Sequence, residues 1–555
     1  MKRTLALLLT MLMIFSLASC GPATPADDST SQPQSSGTAS ATSTTSNVVQ
    51  TEPPQAEVAP TIHIFGSRSV NSPEDRNTMQ LVQAWSEAVN VNFEWELVAT
   101  GYADIKSLKL ASGDWPDVFM SVTNEEIIKY GNEGVFIPLQ ELQEQHCPLL
   151  MERYGENPDL KAYMTAPDGN IYTFPFYSIG PWGGMNRFMV INTTWLDNVG
   201  KSMPTTLAEF KDVLTAFLSE DANGNGDPND EIPLSWAGSL SGNHPMGWAF
   251  APDFISASFQ CPYPYNNDHM GYEDGKVLFI PASEEYRNWV RWMGELYAEG
   301  LLDPQGFTHG TDQYAAKLNT DPYIVGVASV WDIGDSFADP GAYDHYDFIP
   351  PMKGLNGEDP VVQYNLGYGG RDKWAVTTAC ENPEAVMRAA DYCFQPDITV
   401  QFLEGPYDVR LIPCETCGQA GAYEAGPAPE GMDNTTFRDS VGLFGATPVY
   451  IDIPLYGEKL HLHYTDHKVN YINTIMMPYA DPDPMPPFFM SVEETAQKSE
   501  IWTDLCEYVN RKGAEFVINN NIDAEWDAYL LELEKIGYKK AVDAQQTAID
   551  RALGN

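Results

Sequence analysis

The segment between residues 221 and 231 places oxygen-bearing side chains at a regular spacing. Asp221, Asn223 and Asn225 stand at its positions one, three and five, and Gly226 stands at position six. In an EF-hand loop this spacing turns alternate side chains towards one centre, and glycine permits the backbone angle of the turn. Hard oxygen ligands favour calcium over zinc or copper. The pattern predicts a structural calcium site.

The second half of the segment supplies further oxygen atoms. Asp227 stands at position seven, where the backbone carbonyl group is the usual ligand, and Asp230 and Glu231 follow. An EF-hand loop carries glutamate at position twelve, whereas this sequence has Ile232 there, so the two late acids must complete the shell. Four carboxylates within eleven residues repel each other unless a cation lies among them. The alternative is a solvated turn rich in Asn, Asp and Gly.

Strands and helices alternate in the part of the chain that precedes this loop. Residues 61–66, 91–98 and 118–122 are predicted strands, and residues 76–89 and 101–112 are predicted helices between them. Alternation of this kind indicates βαβ units around a parallel sheet. The first lobe is therefore expected to be α/β.

Amphipathic helices are predicted in the middle and at the end of the chain. Residues 206–217 and 283–300 carry one apolar face each and begin with the start signals Thr206 and Ser283. Residues 523–553 read as two helices separated near Gly537. These apolar stripes indicate packing on a core and no cofactor site.

The first twenty residues have the three parts of a secretory signal. Lys2 and Arg3 precede an apolar core over residues 5–17, which is too short to span a bilayer. The small residues before Cys20 resemble the lipobox of bacterial lipoproteins, which implies cleavage after residue 19 and a thioether-linked diacylglycerol on Cys20. Two or more acyl chains, palmitate among them, would hold the protein at the outer face of the cell membrane, in an extracytoplasmic position. The alternative is an ordinary signal with an accidental cysteine.

The composition separates a tether from a globular body. Residues 20–59 are rich in Ser, Thr, Pro, Ala and Gln and contain no aromatic residue, so they are expected to form a disordered tether. The body has an apolar fraction of 43%, which is typical of a well-packed globular protein. The net charge of −46 argues against nucleic acid or anionic lipid as a partner. A lipid anchor would be the only contact with the membrane.

The cysteines show no clear zinc or redox pattern. Besides Cys20 the sequence has seven, and Cys414 and Cys417 form a CxxC without a second close Cys or His pair. The motif follows a proline and precedes a loop rich in Gly, Ala and Pro rather than opening a helix. A disulfide or free thiols are therefore favoured over a metal site.

Several segments in fixed order resemble the extracellular solute-binding proteins of the lipoprotein type, which have sugar or oligosaccharide ligands. Residues 111–119 (ASGDWPDVF) resemble a loop and strand of that family, and residues 191–217 resemble its second-lobe opening, which runs into the loop 221–231. Residues 276–303 and 383–394, and the C-terminal EWDAYLLELEKIGY, are similar to further family stretches. A related example is the group of alginate-binding receptors, which carry a similar calcium loop.

The resemblance implies a two-lobe periplasmic-binding-protein type II fold with crossing segments that act as a hinge. The expected division assigns residues 60–187 and 362–440 to lobe one and residues 188–361 and 441–555 to lobe two. The stretch 349–360, rich in Pro and Gly, is a predicted hinge passage. The resemblance further implies a monomeric receptor that closes on an oligosaccharide and delivers it to the transmembrane permease subunits of an ABC importer.

Sugars bind flat aromatic rings flanked by amides, carboxylates and arginine, so aromatic residues in loops beside Gly or Pro are the best candidate ligands. This criterion selects a set of platform and polar residues for the cleft: Trp115, Asp117, Tyr177, Trp182, Asn186, Arg187, Trp248, Trp331, Tyr368, Arg371 and Trp374.

Two other functions fit the sequence alone. A secreted, calcium-bound glycoside hydrolase or polysaccharide lyase would need a placed pair of carboxylates, and no motif identifies one. A peptide-binding ABC receptor would share the fold but would need charged clamps for peptide termini.

Overall fold

The computed structural model describes residues 59–179, 185, 188–237, 251–262, 269–364, 368–414, 421–432, 434–452 and 463–554. Cys20 and the tether lie outside these residues. Residues 58–555 form one compact unit. Within the described ranges, no helix combines the length and apolar character that crossing a membrane requires.

The strands of the body are numbered in chain order: β1 (Thr61–Ser67), β2 (Asn92–Val98), β3 (Val118–Phe119), β4 (Phe174–Ile179), β5 (Phe188–Asn192), β6 (Ile232–Ser235), β7 (Met270–Glu273), β8 (Lys276–Phe279), β9 (Val325–Val330), β10 (Tyr346–Phe348), β11 (Tyr368–Lys373), β12 (Ala375–Val376), β13 (Leu411–Pro413), β14 (Tyr423–Ala425) and β15 (Val449–Asp452).

The α-helices are numbered in the same way: α1 (Gln80–Val89), α2 (Tyr102–Ser112), α3 (Asn124–Asn132), α4 (Gln140–His146), α5 (Pro148–Glu156), α6 (Pro158–Met164), α7 (Thr193–Asn198), α8 (Leu207–Ser219), α9 (Ala251–Ser256), α10 (Glu284–Ala298), α11 (Thr311–Leu318), α12 (Ile333–Ser336), α13 (Pro383–Tyr392), α14 (Pro396–Glu404), α15 (Asn434–Val441), α16 (His463–Tyr471), α17 (Val492–Asn519), α18 (Ile522–Ile536) and α19 (Tyr538–Leu553).

Lobe one contains a four-stranded sheet in the order β12-β3-β1-β2. β1 pairs in parallel with β2 and β3, whereas β12 is antiparallel to β3. Its main core includes Trp85 and Trp374, whose rings stack with centroids 5.6 Å apart. The sheet is mixed rather than purely parallel, because β12 enters from a different part of the chain.

Lobe two contains a four-stranded sheet in the order β10-β5-β9-β6. β6 and β9 are parallel, and β5 is antiparallel to β9 and β10. The core of this lobe combines residues from 185 to 362 with residues from 471 to 549. The predicted α/β fold with two lobes is confirmed by the separate cores and sheets.

Local sequence signals account for the helix ends near the site. The hydroxyl group of Thr206 accepts a hydrogen bond from the backbone N–H of Glu209, whose side chain bonds back to the N–H of Thr206. This capping box begins α8 where the sequence predicted it. The predicted break at Gly537, whose φ is 106°, separates α18 from α19. α8 leads directly into the loop 221–231, and β6 follows that loop.

Three strands connect the lobes and form their own sheet, in the order β11-β4-β15. β4 belongs to the lobe-one core and leads to β5, β11 leads from Val362 of lobe two to Trp374 of lobe one, and β15 precedes α16. The predicted hinge passage at 349–360 is corrected, because Ile349 and Met352 are buried in lobe two. The strands that cross between the lobes are β4, β11 and β15.

Candidate functional site

The carboxyl end of a parallel strand in lobe one meets a crossing strand, and in lobe two it lies beside the first residue of β5. After β3, the backbone N–H of Val122 donates to the carbonyl of Asp372, close to the end of β11. In lobe two, Val330 at the end of β9 pairs with Phe188, the first residue of β5. Ligands of α/β proteins bind outside the carboxyl ends of strands. We call this region, formed by residues 67–68, 120–122, 188 and 331–332, the strand-end site.

Trp331 is the aromatic side chain that follows β9 in the strand-end site, and it is half-buried. The ammonium group of Lys468, on α16, lies 4.1 Å from the centroid of the Trp331 ring. The same ammonium group donates a 2.7 Å hydrogen bond to the carbonyl oxygen of Trp331 and lies 4.7 Å from the Phe188 ring. Trp331, a predicted ligand residue, therefore lies at the carboxyl end of β9. Lys468 contacts both its ring and its backbone carbonyl group.

A polar network continues from Trp331 into α16. The hydroxyl group of Tyr343 donates to Oδ1 of Asp332 at 2.6 Å. Nε2 of His467 lies 3.1 Å from Oδ1 of Asp347, and this contact raises the pKa of the imidazole and lowers the pKa of the carboxyl group. The network holds the end of β9 against α16.

Lobe one places charged pairs at its strand ends. The ammonium group of Lys106 contacts Glu126 at 2.6 Å and donates to the carbonyl of Ser121 at 2.7 Å. Ser121 has a left-handed backbone with φ of 49°, which non-glycine residues adopt mainly where surrounding structure enforces it. Lys373 pairs with Asp372 at 3.0 Å. These residues were not selected from the sequence, because the selection considered aromatic residues and polar residues beside them.

Three predicted ligand residues prove to be buried. Trp374 is 0% exposed, and its indole N–H donates to the carbonyl of Ala446. Tyr177 is buried beside Tyr450, and Arg371 is 5% exposed between the rings of Tyr163 and Phe489. The prediction of sugar platforms at Trp374 and Tyr177 is corrected, because a sugar cannot reach a ring that the core covers. Arg371 instead donates to the carbonyl of Phe488 and joins the C-terminal segment to the crossing strand β11.

Two further predicted residues lie at the wrong end of the lobe-one sheet. The carboxylate of Asp117 accepts a hydrogen bond from the backbone N–H of His63 at 2.8 Å, near the beginning of β1. The indole N–H of Trp115 donates to the carbonyl of Leu110, and its ring packs on the core. Both residues precede β3 and therefore lie at its amino end, opposite to the strand-end site.

The remaining predicted ligand residues are not described by the structure. Trp182, Asn186, Arg187 and Trp248 lie outside the described residues. Tyr368 begins β11 opposite Ser178 of β4, and only its backbone is described. In the sequence, residues 182–187 lie between β4 and β5, and Tyr368 is the first residue of β11.

The loop 221–231 is ordered by hydrogen bonds among its own side chains. Oδ2 of Asp221 accepts from the N–H of Gly226 at 3.0 Å, and Oδ1 of Asn223 accepts from the N–H of Asn225 at 2.9 Å. The amide groups of Asn223 and Asn225 both donate to the carboxylate of Asp230. Gly226 has φ of 95°, which explains why glycine occupies this position. The predicted ligand side chains therefore converge on one turn.

Two carboxylate oxygen atoms of the loop suit a cation. Oδ1 of Asp221 and Oε2 of Glu231 are buried and have no hydrogen-bond partner. Burial raises the pKa of the Glu231 carboxyl group. Buried oxygen atoms of this kind normally pair with a donor or a metal ion. Asn223 lies close to the carboxylate of Glu231. The described residues contain no group of three or more His, Cys, Asp or Glu side chains arranged around a metal position.

Three crossing strands join the two α/β lobes, and the strand-end site lies at the carboxyl ends of the parallel strands. Residues 70–399 match the family model of bacterial extracellular solute-binding proteins. The chain belongs to this family. The family consists of binding proteins, which sets aside the glycoside hydrolase and lyase alternatives.

Individual relatives support the same assignment. The chain is 30% identical over 508 residues to the fructooligosaccharide ABC transporter substrate-binding protein FusA of Streptococcus pneumoniae serotype 4, covering 89% of this chain and 91% of FusA. It is 32% identical over 194 residues to the lipoprotein LipO of Bacillus subtilis, covering 33% of this chain and 35% of LipO.

Solved structures extend the comparison to the fold. FusA in complex with kestose superposes with a TM-score of 0.75 at 29% identity, covering 89% of this chain and 100% of that structure. An EF-hand mutant of FusA has been solved with fructo-nystose. The alginate-binding protein AlgQ2 shares the fold, with a TM-score of 0.65 at 20% identity and coverage of 89% of this chain and 98% of its own.

Proposed function

We propose that this protein is the extracytoplasmic receptor of an ABC importer for an oligosaccharide. The observation that carries the proposal is the similarity to FusA along 91% of that protein, whose name identifies a fructooligosaccharide as its substrate. The acidic surface and the aromatic residue at the strand ends agree with a neutral, ring-stacking ligand.

Ligand capture follows from the hinge. Trp331 provides a flat ring on lobe two, and the predicted residues Trp182, Asn186, Arg187, Trp248 and Tyr368 would add further rings and polar groups. A sugar that contacts both lobes favours the closed state, because only that state makes both sets of contacts. Closure then presents the loaded receptor to the permease subunits, and the protein acts as a monomer.

The loop 221–231 is proposed to hold a structural calcium ion. Asp221, Asn223, Asn225 and Glu231 would supply side-chain oxygens, Asp227 its carbonyl, and Asp230 a further carboxylate. A bound cation would screen the four carboxylates and satisfy the buried oxygens of Asp221 and Glu231. The EF-hand mutant of FusA supports the idea of such a loop in a relative. Because β6 follows the loop, the ion would brace lobe two.

The anchor is proposed at Cys20. A diacylglycerol on its sulfur and a flexible tether to residue 59 would keep the receptor at the outer face of the membrane. The similarity to LipO, which is named a lipoprotein, supports this position. Metabolic labelling with an alkyne-modified palmitate tests it, since Cys20→Ser is expected to abolish incorporation.

Calorimetric titration of the full-length protein tests the ligand class. We expect saturable binding of kestose or of another neutral oligosaccharide with one site per chain. A peptide library serves as the control for the peptide-receptor alternative. Binding of peptides together with no heat from any oligosaccharide would overturn the proposal.

A further inference from the structure

Lys468 occupies an unusual place for a lysine. Its side chain is 0% exposed, although lysine is rarely buried without a compensating contact. Its ammonium group lies over two aromatic rings, at 4.1 Å from the Trp331 centroid and 4.7 Å from the Phe188 centroid. It also donates to the backbone carbonyl of Trp331 at 2.7 Å. A cation over an indole face in a desolvated setting is strongly attracted to the ring.

The three segments that Lys468 connects all belong to the hinge end of lobe two. Trp331 follows β9, Phe188 begins β5 directly after the first crossing, and Lys468 lies on α16, after the third crossing strand β15. The contacts fix both the backbone and the ring of Trp331. A ring held in one orientation binds a sugar face without the entropy cost of immobilising it on binding.

A second lysine makes the same contact elsewhere in lobe two. The ammonium group of Lys498 lies 4.2 Å from the centroid of the Trp502 ring, and both residues are half-buried on α17. Neither residue belongs to the strand-end site. The ammonium group of Lys498 also donates a 2.9 Å hydrogen bond to Oε1 of Gln545, as Lys468 donates one to the carbonyl of Trp331. The pair therefore provides a control in which a cation–π contact and a hydrogen bond are removed outside the strand-end site.

We infer that Lys468 is a positioning residue for ligand binding, which holds the Trp331 ring ready as the lobe-two platform for a sugar ring. The inference rests on the proposed function and adds to it a residue that supports the ligand-contacting ring from the protein side. The Lys468 side chain acts through Trp331 and is not itself a contact of the sugar.

Calorimetric titration with kestose tests this role with the full-length protein and five variants. Lys468→Met keeps the apolar length of the side chain and removes the charge, and it is expected to weaken binding about three- to tenfold, because the freed Trp331 side chain must then be immobilised on binding. Lys468→Arg keeps the cation and is expected to recover most of the affinity. Lys498→Met is expected to leave the affinity unchanged. In a Trp331→Ala background, Lys468→Met is expected to have no further effect.

Fluorine NMR of the protein labelled with 5-fluorotryptophan supplies a reading that needs no ligand. Loss of one resonance in Trp331→Phe assigns Trp331 among the thirteen tryptophans. Lys468→Met is expected to shift and broaden that resonance, whereas Lys498→Met is expected to alter the Trp502 resonance instead. These changes would show that Lys468 orders the ring.

The outcomes separate the inference from the function beneath it. If the unmodified protein binds no oligosaccharide, the proposed function fails. If it binds kestose and Lys468→Met binds equally well, or if the Trp331 resonance is unchanged, the role of Lys468 is wrong. An equal loss of affinity in Lys468→Met and Lys498→Met would indicate a general loss of stability and would also overturn the inference.

Discussion

The loop 221–231 and the strand-end site are built from the chain in opposite ways. The loop places its polar side chains within eleven consecutive residues, from Asp221 to Glu231, and most of its hydrogen bonds join residues two to five positions apart. In the strand-end site, Phe188 and Trp331 are contacted by Lys468 of α16, which lies 137 positions from Trp331 and still donates a hydrogen bond to it. Local spacing therefore determines the loop, whereas strand pairing and helix packing determine the strand-end site.

This difference separates the two roles of lobe two. A local loop can brace β6 without altering the ligand surface, and the strand ends can bind a ligand without contributing metal ligands. Changes in the loop should therefore act mainly on stability, and changes at the strand ends should act mainly on affinity.

The largest expected effect is the loss of ligand affinity in Trp331→Ala. Truncation of a central aromatic contact costs about 2 kcal/mol, which corresponds to roughly 30-fold weaker binding. Calorimetric titration with kestose measures the change. The control is Trp115→Ala, which removes a predicted platform at the amino end of the lobe-one sheet and is expected to leave the affinity unchanged. A larger loss of affinity in Trp115→Ala than in Trp331→Ala would mean that the ligand binds at the amino end of the lobe-one sheet and not at the strand-end site.

A smaller effect is expected from the loop, and it concerns stability. At calcium several times above its dissociation constant, binding adds about 1 kcal/mol to the folded state. Removing the ion with EGTA should then lower the Tm by about 2–4 °C in a lobe of this size. Asp221→Ala should show the lower Tm already and should no longer respond to EGTA. Neither EGTA nor Asp221→Ala is expected to change the affinity for kestose by more than about twofold.

The matched control for the loop is Asp212→Ala, about two turns before the end of α8. Asp212 forms an exposed pair with Lys201 at 2.6 Å, and such surface pairs contribute little to stability. This variant should keep the full response to EGTA. If the Tm of the unmodified protein does not depend on calcium, the proposed calcium site is wrong and the loop is a solvated turn.

The smallest expected effect is a pH dependence at His467. Its contact with Asp347 raises the pKa of the imidazole in the folded state. The stabilisation is thus fully present below the unfolded pKa of about 6.5 and is lost as the pH rises through the raised folded value. Because both side chains are partly exposed, the contribution is below about 1 kcal/mol.

Thermal unfolding of the unmodified protein and of His467→Gln between pH 5 and pH 9 would measure this contribution. The difference in Tm between the two proteins should be greatest at low pH and should shrink as the pH rises. Asp347 stays ionised across this range because its pKa is lowered, so it adds no slope. A difference that grows with pH would contradict the assignment.

The sequence predicted those features that depend on neighbouring residues. The capping box at Thr206, the break at Gly537 and the strand β1 at 61–67 agree with their sequence signals. The polar side chains of the loop also converge as their spacing predicted. Each of these features is set by hydrogen bonds or dihedral angles over a few residues.

The ligand surface could not be predicted in the same way. The criterion of an aromatic residue in a loop beside Gly or Pro selected Trp374 and Trp115 as well as Trp331. Residue type alone does not indicate which end of a strand faces the hinge. Burial of Trp374 depends on its stacking with Trp85, nearly 300 residues earlier in the chain. The buried Lys468 gave no signal, since a lone lysine in a polar helix resembles any exposed lysine.

Small-angle X-ray scattering of the full-length protein, with and without saturating kestose, tests the central claim most directly. A receptor that closes on an oligosaccharide at the strand ends should show a smaller radius of gyration when loaded, and Trp331→Ala should need a higher kestose concentration for the same change. An unchanged radius of gyration at a concentration where calorimetry shows saturation would contradict closure of the lobes around the ligand.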